Sequence, residues 1–353
     1  MQLRFSNPET RTLFDSDGHG SWCASDKIAV WASNGENGKF VEFSVADAAS
    51  GIFEGTVEQG YSVGSVAVYP SIIAKGFDGT SVSIALPSEY TVSEATSNLP
   101  MVGWFASSEG PVTLEAVGSA IEISYVNVPL DAAAIRFNAS SPVTGEFSIG
   151  EGDVIDASTA SGRTVTINFT SPTDAENKVS FYIPVPEGSY TTASTVVLLD
   201  SDGNEITVHN TASLKHFAKT VTVGEKTLKR LPAITLPIDY YSVWENGGSI
   251  TIGDEQYSRA STGLDGTIIT ASGAGKSISE INTKSGAYFL DAGSDNYFFT
   301  TETDKTIVVN SNVILSGRYS DSSPVFKPIK NFRLDAGGFA LFNMIIDFED
   351  MTS

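Results

Sequence analysis

The chain has 353 residues, 41% apolar and 18% charged, which supplies packed cores and excludes wholesale disorder. Its net charge is −21, and the acidic excess is spread almost evenly: 8 over residues 1–110, 6 over 111–237 and 7 over 238–353. No third offers a basic face, which excludes nucleic acid as a partner, and no apolar run nears the roughly eighteen residues of a membrane helix.

Period-2 alternation dominates in chain order. It marks Lys27-Ile28-Ala29-Val30-Trp31-Ala32, Ser65-Val66-Ala67-Val68-Tyr69, Ser81-Val82-Ser83-Ile84-Ala85-Leu86 and Glu122-Ile123-Ser124-Tyr125-Val126. It continues through Thr164–Phe169, Ser180–Val185 and Thr220–Val223. These short runs are rich in Val, Ile, Thr and aromatics and are bounded by Gly, Pro, Asn or Asp, the pattern of half-buried strands. Val196–Leu199 and Glu205–Val208 flank Asp200-Ser201-Asp202-Gly203-Asn204 and predict a hairpin, Asp-Gly supplying the positive φ that a tight turn needs. Helical periodicity is confined to Glu94–Leu99 and Leu214–Ala218. The predicted fold class is all-β.

Two turn clusters divide the chain. Ser107-Ser108-Glu109-Gly110-Pro111 and Leu236-Pro237 give blocks 1–110 and 111–237, each of the size and strand spacing of a β-sandwich. The third block, 238–353, holds shorter strands at Ser249–Ile252, Thr267–Thr270 and Thr306–Val309. It also carries an Asn-led pattern at Asn312-Val313-Ile314-Leu315, Asn331-Phe332-Arg333-Leu334 and Asn343-Met344-Ile345-Ile346. The first rungs of a parallel β-helix and a small sandwich or roll both fit this block.

Few residues suggest chemistry. His19, His209 and His216 are too scattered for a metal cluster. Cys23, the only cysteine, excludes an internal disulfide and reads as a small buried hydrophobe. Asp15-Ser16-Asp17-Gly18 and Asp200-Ser201-Asp202-Gly203 open like calcium loops but lack Gly at the sixth position and Glu at the twelfth. Gly273-Ala274-Gly275-Lys276-Ser277 lacks the first glycine and the βαβ setting of a phosphate loop. No metal or cofactor is expected, and no nucleophile, orienting group and oxyanion donor assemble in sequence, so the chain reads as a non-enzyme. Tyr240, Tyr241 and Trp244 offer a sugar-stacking platform, although a place in the core suits them better. Near the end Phe342, Met344, Ile346 and Phe348 fall on one face by strict alternation. Such a strand either pairs within its own block, the preferred reading, or inserts into a neighbouring subunit.

The opening Arg11-Thr12-Leu13-Phe14, Ser21-Trp22 and Ser25-Asp26-Lys27-Ile28-Ala29-Val30-Trp31 resembles the start of Bacteroidetes fimbrillin-like proteins, the type V pilins and their accessory subunits. Ser25 and Ala29 stand where that family usually has glycine. Val66-Ala67-Val68-Tyr69-Pro70, Leu99-Pro100-Met101-Val102-Gly103, Lys219–Val223 and Leu231-Pro232-Ala233-Ile234-Thr235-Leu236 extend the resemblance over about residues 3–237. The resemblance implies two transthyretin-like β-sandwiches, secretion as a lipoprotein and display at the outer membrane surface in a fimbrium, with the lipid-bearing cysteine upstream of Met1. It also implies cleavage after an Arg near the N-terminus, best matched by Arg11 and then by Arg4, and filling of the opened groove by a strand of the next subunit. The partners implied are other fimbrial subunits and a host or bacterial receptor. About 115 residues follow Pro237, where stalk subunits end, which favours a tip, accessory or adhesin-like role. The rival reading is a surface protein that binds or processes glycans with block 238–353.

Overall fold

The computed structural model of the chain describes residues 1–6, 22–92, 100–106, 110–150, 155–156, 160–209, 215–271, 276–277, 284–292, 298–300, 307–309, 312–327, 332–334 and 339–346. They form an all-β molecule with two short helices, Tyr240–Glu245 and Arg259–Thr262. Among the described residues no helix is long and apolar enough to cross a membrane.

The first unit is built on a seven-stranded antiparallel sheet. Its order is Gln2–Arg4, Ile52–Glu54, Gly38–Asp47, Lys27–Ser33, Ser62–Tyr69, Met101–Phe105 and Glu115–Ala116. Alternation within its central strands sends side chains to two cores. Ala29, Val66, Val68 and Val102 meet a second sheet through Val82, Ile84, Phe147 and Ile149. Ile28, Val30, Ala67 and Tyr69 face the opposite way, into a cluster with Leu3, Phe5, Trp22, Phe43 and Phe53. The large sheet is therefore buried on both faces over its centre.

The second sheet of this unit runs Ile155–Asp156, Gly145–Gly150, Ser81–Leu86, Ala74–Phe77. Hydrogen bonding thus crosses residue 110, because Gly145–Gly150 pairs antiparallel with Ser81–Leu86. A second crossing runs the other way. Glu89–Thr91 leaves the first unit and adds in parallel to Thr164–Asn168 of the second.

The second unit faces the sheet Lys178–Val185, Ser119–Val126, Leu228–Arg230 against the sheet Thr195–Asp200, Ala132–Asn138, Thr164–Asn168, Glu89–Thr91. Ile234–Thr235 also pairs with Ser119–Val126. Ile121, Ile123, Phe137, Ile167, Phe181 and Ile183 form a core without exposed surface. The predicted hairpin is present, with Ile206 N–H donating to the Leu198 carbonyl at 2.9 Å and Gly203 at φ +81° in the turn.

The third block is built of parallel rungs. Gly266–Thr270, Gly286–Asp291, Val313–Gly317 and Phe339–Phe342 form one parallel sheet. Lys276–Ser277, Phe298–Thr300, Val325–Lys327 and Ile345–Ile346 form a second, and Ile307–Val309 with Phe332–Leu334 a third. The two middle rungs visit all three sheets in turn and the first and last visit two among the described residues, which is the arrangement of a parallel β-helix. Tyr288, Leu290, Val313, Leu315, Phe299 and Phe326 fill its interior. Ala287, Phe289 and Ile314 point outward, beneath Val243 and Trp244 of the helix Tyr240–Glu245.

Candidate functional site

The candidate site is the place where the N-terminal strand closes the first unit. Gln2, Leu3 and Arg4 pair antiparallel with Glu54, Phe53 and Ile52. On the other side the Val112 N–H donates to the Arg4 carbonyl at 2.8 Å, and the Ser6 N–H to the Val112 carbonyl at 2.9 Å. The segment thus pairs with Ile52–Glu54 on one side and bridges, through Phe5, to Val112 on the other. Period 2 aims Leu3 and Phe5 inward, where they are 3% and 1% exposed.

The segment is held at its end as well as along its edges. The Phe5 ring stands edge-on to Phe53 at 5.3 Å, and Trp22 stands edge-on to the same ring at 4.9 Å. The Trp22 indole Nε1–H donates to the Ser6 carbonyl at 3.2 Å. Below them the Tyr69 hydroxyl donates to Asp26 at 2.9 Å, so this buried carboxylate is satisfied. Deleting the segment would open two rows of backbone groups beside an apolar furrow, the conditions under which an extended strand adds to a sheet.

Arg4 lies on this strand with its side chain exposed and its carbonyl engaged, so a cut after Arg4 requires the strand to open first. Arg11 lies outside the described residues. A cut there would release Leu3 and Phe5 together, whereas a cut after Arg4 leaves Phe5 in place.

The terminal alternation does not form one straight strand. Asn343 sits at φ +49° and turns the chain. Phe342 consequently packs outward, edge-on to Tyr240 at 4.8 Å, while Met344 and Ile346 pack against the β-helix interior. Asn343 Nδ2–H donates to the Tyr319 carbonyl at 2.6 Å, which fixes the turn. Phe342 and Ile345–Ile346 pair within their own block, and Phe348 lies outside the described residues.

The aromatic trio is a packing group. Trp244 has no exposed surface and donates from Nε1–H to the Leu264 carbonyl at 3.0 Å. Tyr241 meets Phe289 edge-on at 5.7 Å, and Tyr240 and Tyr241 are half-buried. A fully buried indole cannot form the wall of a sugar platform, so Tyr240, Tyr241 and Trp244 do not make the predicted stacking surface. The sequence signal that would have placed them is Asp239, whose carboxylate accepts from the Tyr241 and Ser242 N–H groups and starts the helix.

Cys23 corrects another expectation. It is exposed, because a tight turn in which the Cys23 N–H donates to the Asp26 carboxylate at 2.7 Å points it outward. Among the described residues no group of three or more His, Cys, Asp or Glu side chains is placed to hold a metal ion.

Sequence reasoning also passed over a charged cluster where the second unit meets the β-helix. Arg318 Nη2–H donates to Asp239 at 2.9 Å and Nη1–H to Asp291 at 3.0 Å, with side chains about one-fifth exposed. Burial alone would lower the Arg318 pKa, but the Asp239 and Asp291 carboxylates more than offset this and hold it above its ordinary value.

No protein-family profile matches the chain. No curated protein matches it either. Among solved structures it is similar to a protein from Bacteroides uniformis provisionally assigned to cell adhesion, at 15% identity and a TM-score of 0.33, covering 62% of this chain and 90% of that one. A second such protein, from Bacteroides ovatus, aligns at 15% identity and a TM-score of 0.31 over 51% of this chain and 74% of that one. The tip fimbrial protein Mfa3 from Porphyromonas gingivalis, C-terminally truncated, aligns at 13% identity and a TM-score of 0.25, covering 59% and 79%. With TM-scores of 0.25–0.33, these likenesses fix neither a shared architecture nor a shared role.

Proposed function

We propose that this chain is a fimbrillin-like subunit or adhesin of the bacterial cell surface, acting by adhesion and strand-addition assembly without turnover. The observation that carries the reading is the N-terminal strand: a short segment whose Leu3 and Phe5 pack into the core of the first unit. The resemblance at Arg11 and Asp26-Lys27-Ile28-Ala29-Val30-Trp31 supports the same reading from the sequence side. The β-helix after Pro237 favours a tip or accessory position over the stalk, since it offers a lateral surface where a simple stalk subunit would end. In this reading the precursor carries a lipid anchor, and the partners are other fimbrial subunits and a surface receptor.

The test is limited trypsin treatment of the full chain, followed by N-terminal sequencing, gentle warming to release the cut strand, and sizing. The expected result is a new N-terminus at Thr12 and a ladder of oligomers. A chain that is cut at Arg11 and stays monomeric after the strand is released would overturn assembly by strand addition. A chain that resists cutting at both Arg4 and Arg11 would overturn processing itself.

A further inference from the structure

One loop of the β-helix reaches out to the second unit. Gly317-Arg318-Tyr319-Ser320-Asp321 ends the strand Val313–Gly317 and runs toward the sandwich. The Tyr319 ring stacks on the His209 imidazole at 4.0 Å and 10° between planes. His209 follows the second arm of the sandwich hairpin. Its Nδ1–H donates to the Asp321 carboxylate at 2.9 Å, a direction fixed because an ionised carboxylate only accepts.

The same loop grips the connection between the two units. The Tyr240 N–H donates to the Arg318 carbonyl at 2.8 Å, and the Ser320 N–H to the Ile238 carbonyl at 3.0 Å. The Ile238 N–H donates to Ser320 Oγ at 2.8 Å. Arg318 bonds Asp239 of the connection and Asp291 of the preceding rung, and its guanidinium carbon lies 4.7 Å from the Tyr319 ring centre. Beside these contacts Leu130 and Ala175 of the sandwich pack into the apolar cluster of Val243 and Trp244. A cavity of about 290 Å³, lined by Asp131, Glu205, His209, Arg318 and Tyr319 among others, remains at the seam.

Units joined by a short connection move relative to one another unless a specific interface prevents it. We propose that loop 318–321 is a latch that holds the β-helix in one orientation on the second sandwich, so that the two bear load as one body. The apolar contact through Leu130 resists separation but is not directional. The stacked His209–Tyr319 pair and the fixed fork of Arg318 are directional, and they set the angle.

The experiment is pulsed electron spin resonance on the full chain with Cys23 replaced (Cys23→Ser) and spin labels at Ser201→Cys and Thr267→Cys, both exposed sites. A narrow distance distribution is expected in the otherwise native chain. His209→Ala with Tyr319→Ala, which leaves both interiors intact, should broaden it on the order of twofold. A label pair placed wholly within the sandwich should keep its width. A broad distribution in the native chain, or an unchanged one in the doubly substituted chain, would overturn the latch. Should the double variant lose its native circular dichroism, His209→Ala alone decides between the same two outcomes.

Discussion

A side chain on Gly51 would collide with the backbone carbonyl of Phe5. Gly51 also sits at φ +64°, and its carbonyl accepts from the Phe5 N–H at 2.8 Å. The turn that precedes Ile52–Glu54 is thus shaped to let the N-terminal strand lie close. Gly51→Ala would add about 1–2 kcal/mol of left-handed backbone strain to the collision, and the strand is the part free to yield. We expect faster amide exchange at residues 2–6 and a lowered unfolding midpoint, with exchange in the second sandwich unchanged. Unchanged exchange at residues 2–6 would count against this seating of the strand.

Phe5→Ala tests the plug itself. The ring is 1% exposed and is edge-on to Phe53. Removing a buried phenyl group costs about 3–5 kcal/mol when the surroundings do not collapse. The furrow here is lined by Trp22 and by Phe43 of the strand Gly38–Asp47. A loss of that size in urea unfolding is expected, together with easier displacement of the strand. A loss below about 1 kcal/mol would place the furrow's stability elsewhere.

Much of this was legible in the residues themselves. Ser81–Leu86 buries Val82, Ile84 and Leu86 and leaves the alternate side chains half-buried, as alternation requires. Gly286–Asp291 carries no such signal, since its first five residues are all buried: interior on one face, beneath Tyr240–Glu245 on the other. A strand covered on both sides loses its period. The β-helix was also masked by uneven rungs. Gly266 faces Ala287, Gly286 faces Val313 and Val313 faces Phe339, offsets of 21, 27 and 26 residues. The Asn-led pattern did mark real strand starts, at Val313, Phe332 and Ile345, but these lie on three different sheets. At the site, the alternation of Lys27–Ala32 and Ser65–Tyr69 was readable, whereas the pairing of Gln2–Arg4 with Ile52–Glu54 was not. The bridge between Phe5 and Val112 was not readable either, because it joins residues about a hundred positions apart.

Asp239 holds two roles that substitution can separate. Its carboxylate caps the helix Tyr240–Glu245 and binds Arg318. Asparagine caps a helix about as well as aspartate but carries no charge. Asp239→Asn should therefore keep the helix while weakening the Arg318 contact, at a cost of roughly 1–2 kcal/mol for a charge-assisted bond that is partly screened. Asp239→Ala removes both and should cost about 1 kcal/mol more. Equal losses for the two variants, measured by denaturant unfolding, would mean that the cap contributes nothing.

His216 gives the second sandwich a pH dependence with a definite sign. Among the described residues neither buried ring nitrogen has a hydrogen-bond partner, and the ring stands edge-on to Tyr125 at 4.9 Å. Burial pushes its pKa down to about 4 from the ordinary 6.5. Between those values the unfolded chain binds a proton that the folded chain does not, so stability rises with pH across the window. The full contribution is present above pH 6.5 and is lost as the pH falls toward 4, a swing on the order of 2–3 kcal/mol. His216→Phe keeps the edge contact and removes both unpaired nitrogens. It should stabilise the chain by about 1 kcal/mol at neutral pH and flatten the unfolding profile between pH 6.5 and 4. A variant as acid-sensitive as the native chain would assign that sensitivity to carboxylates instead.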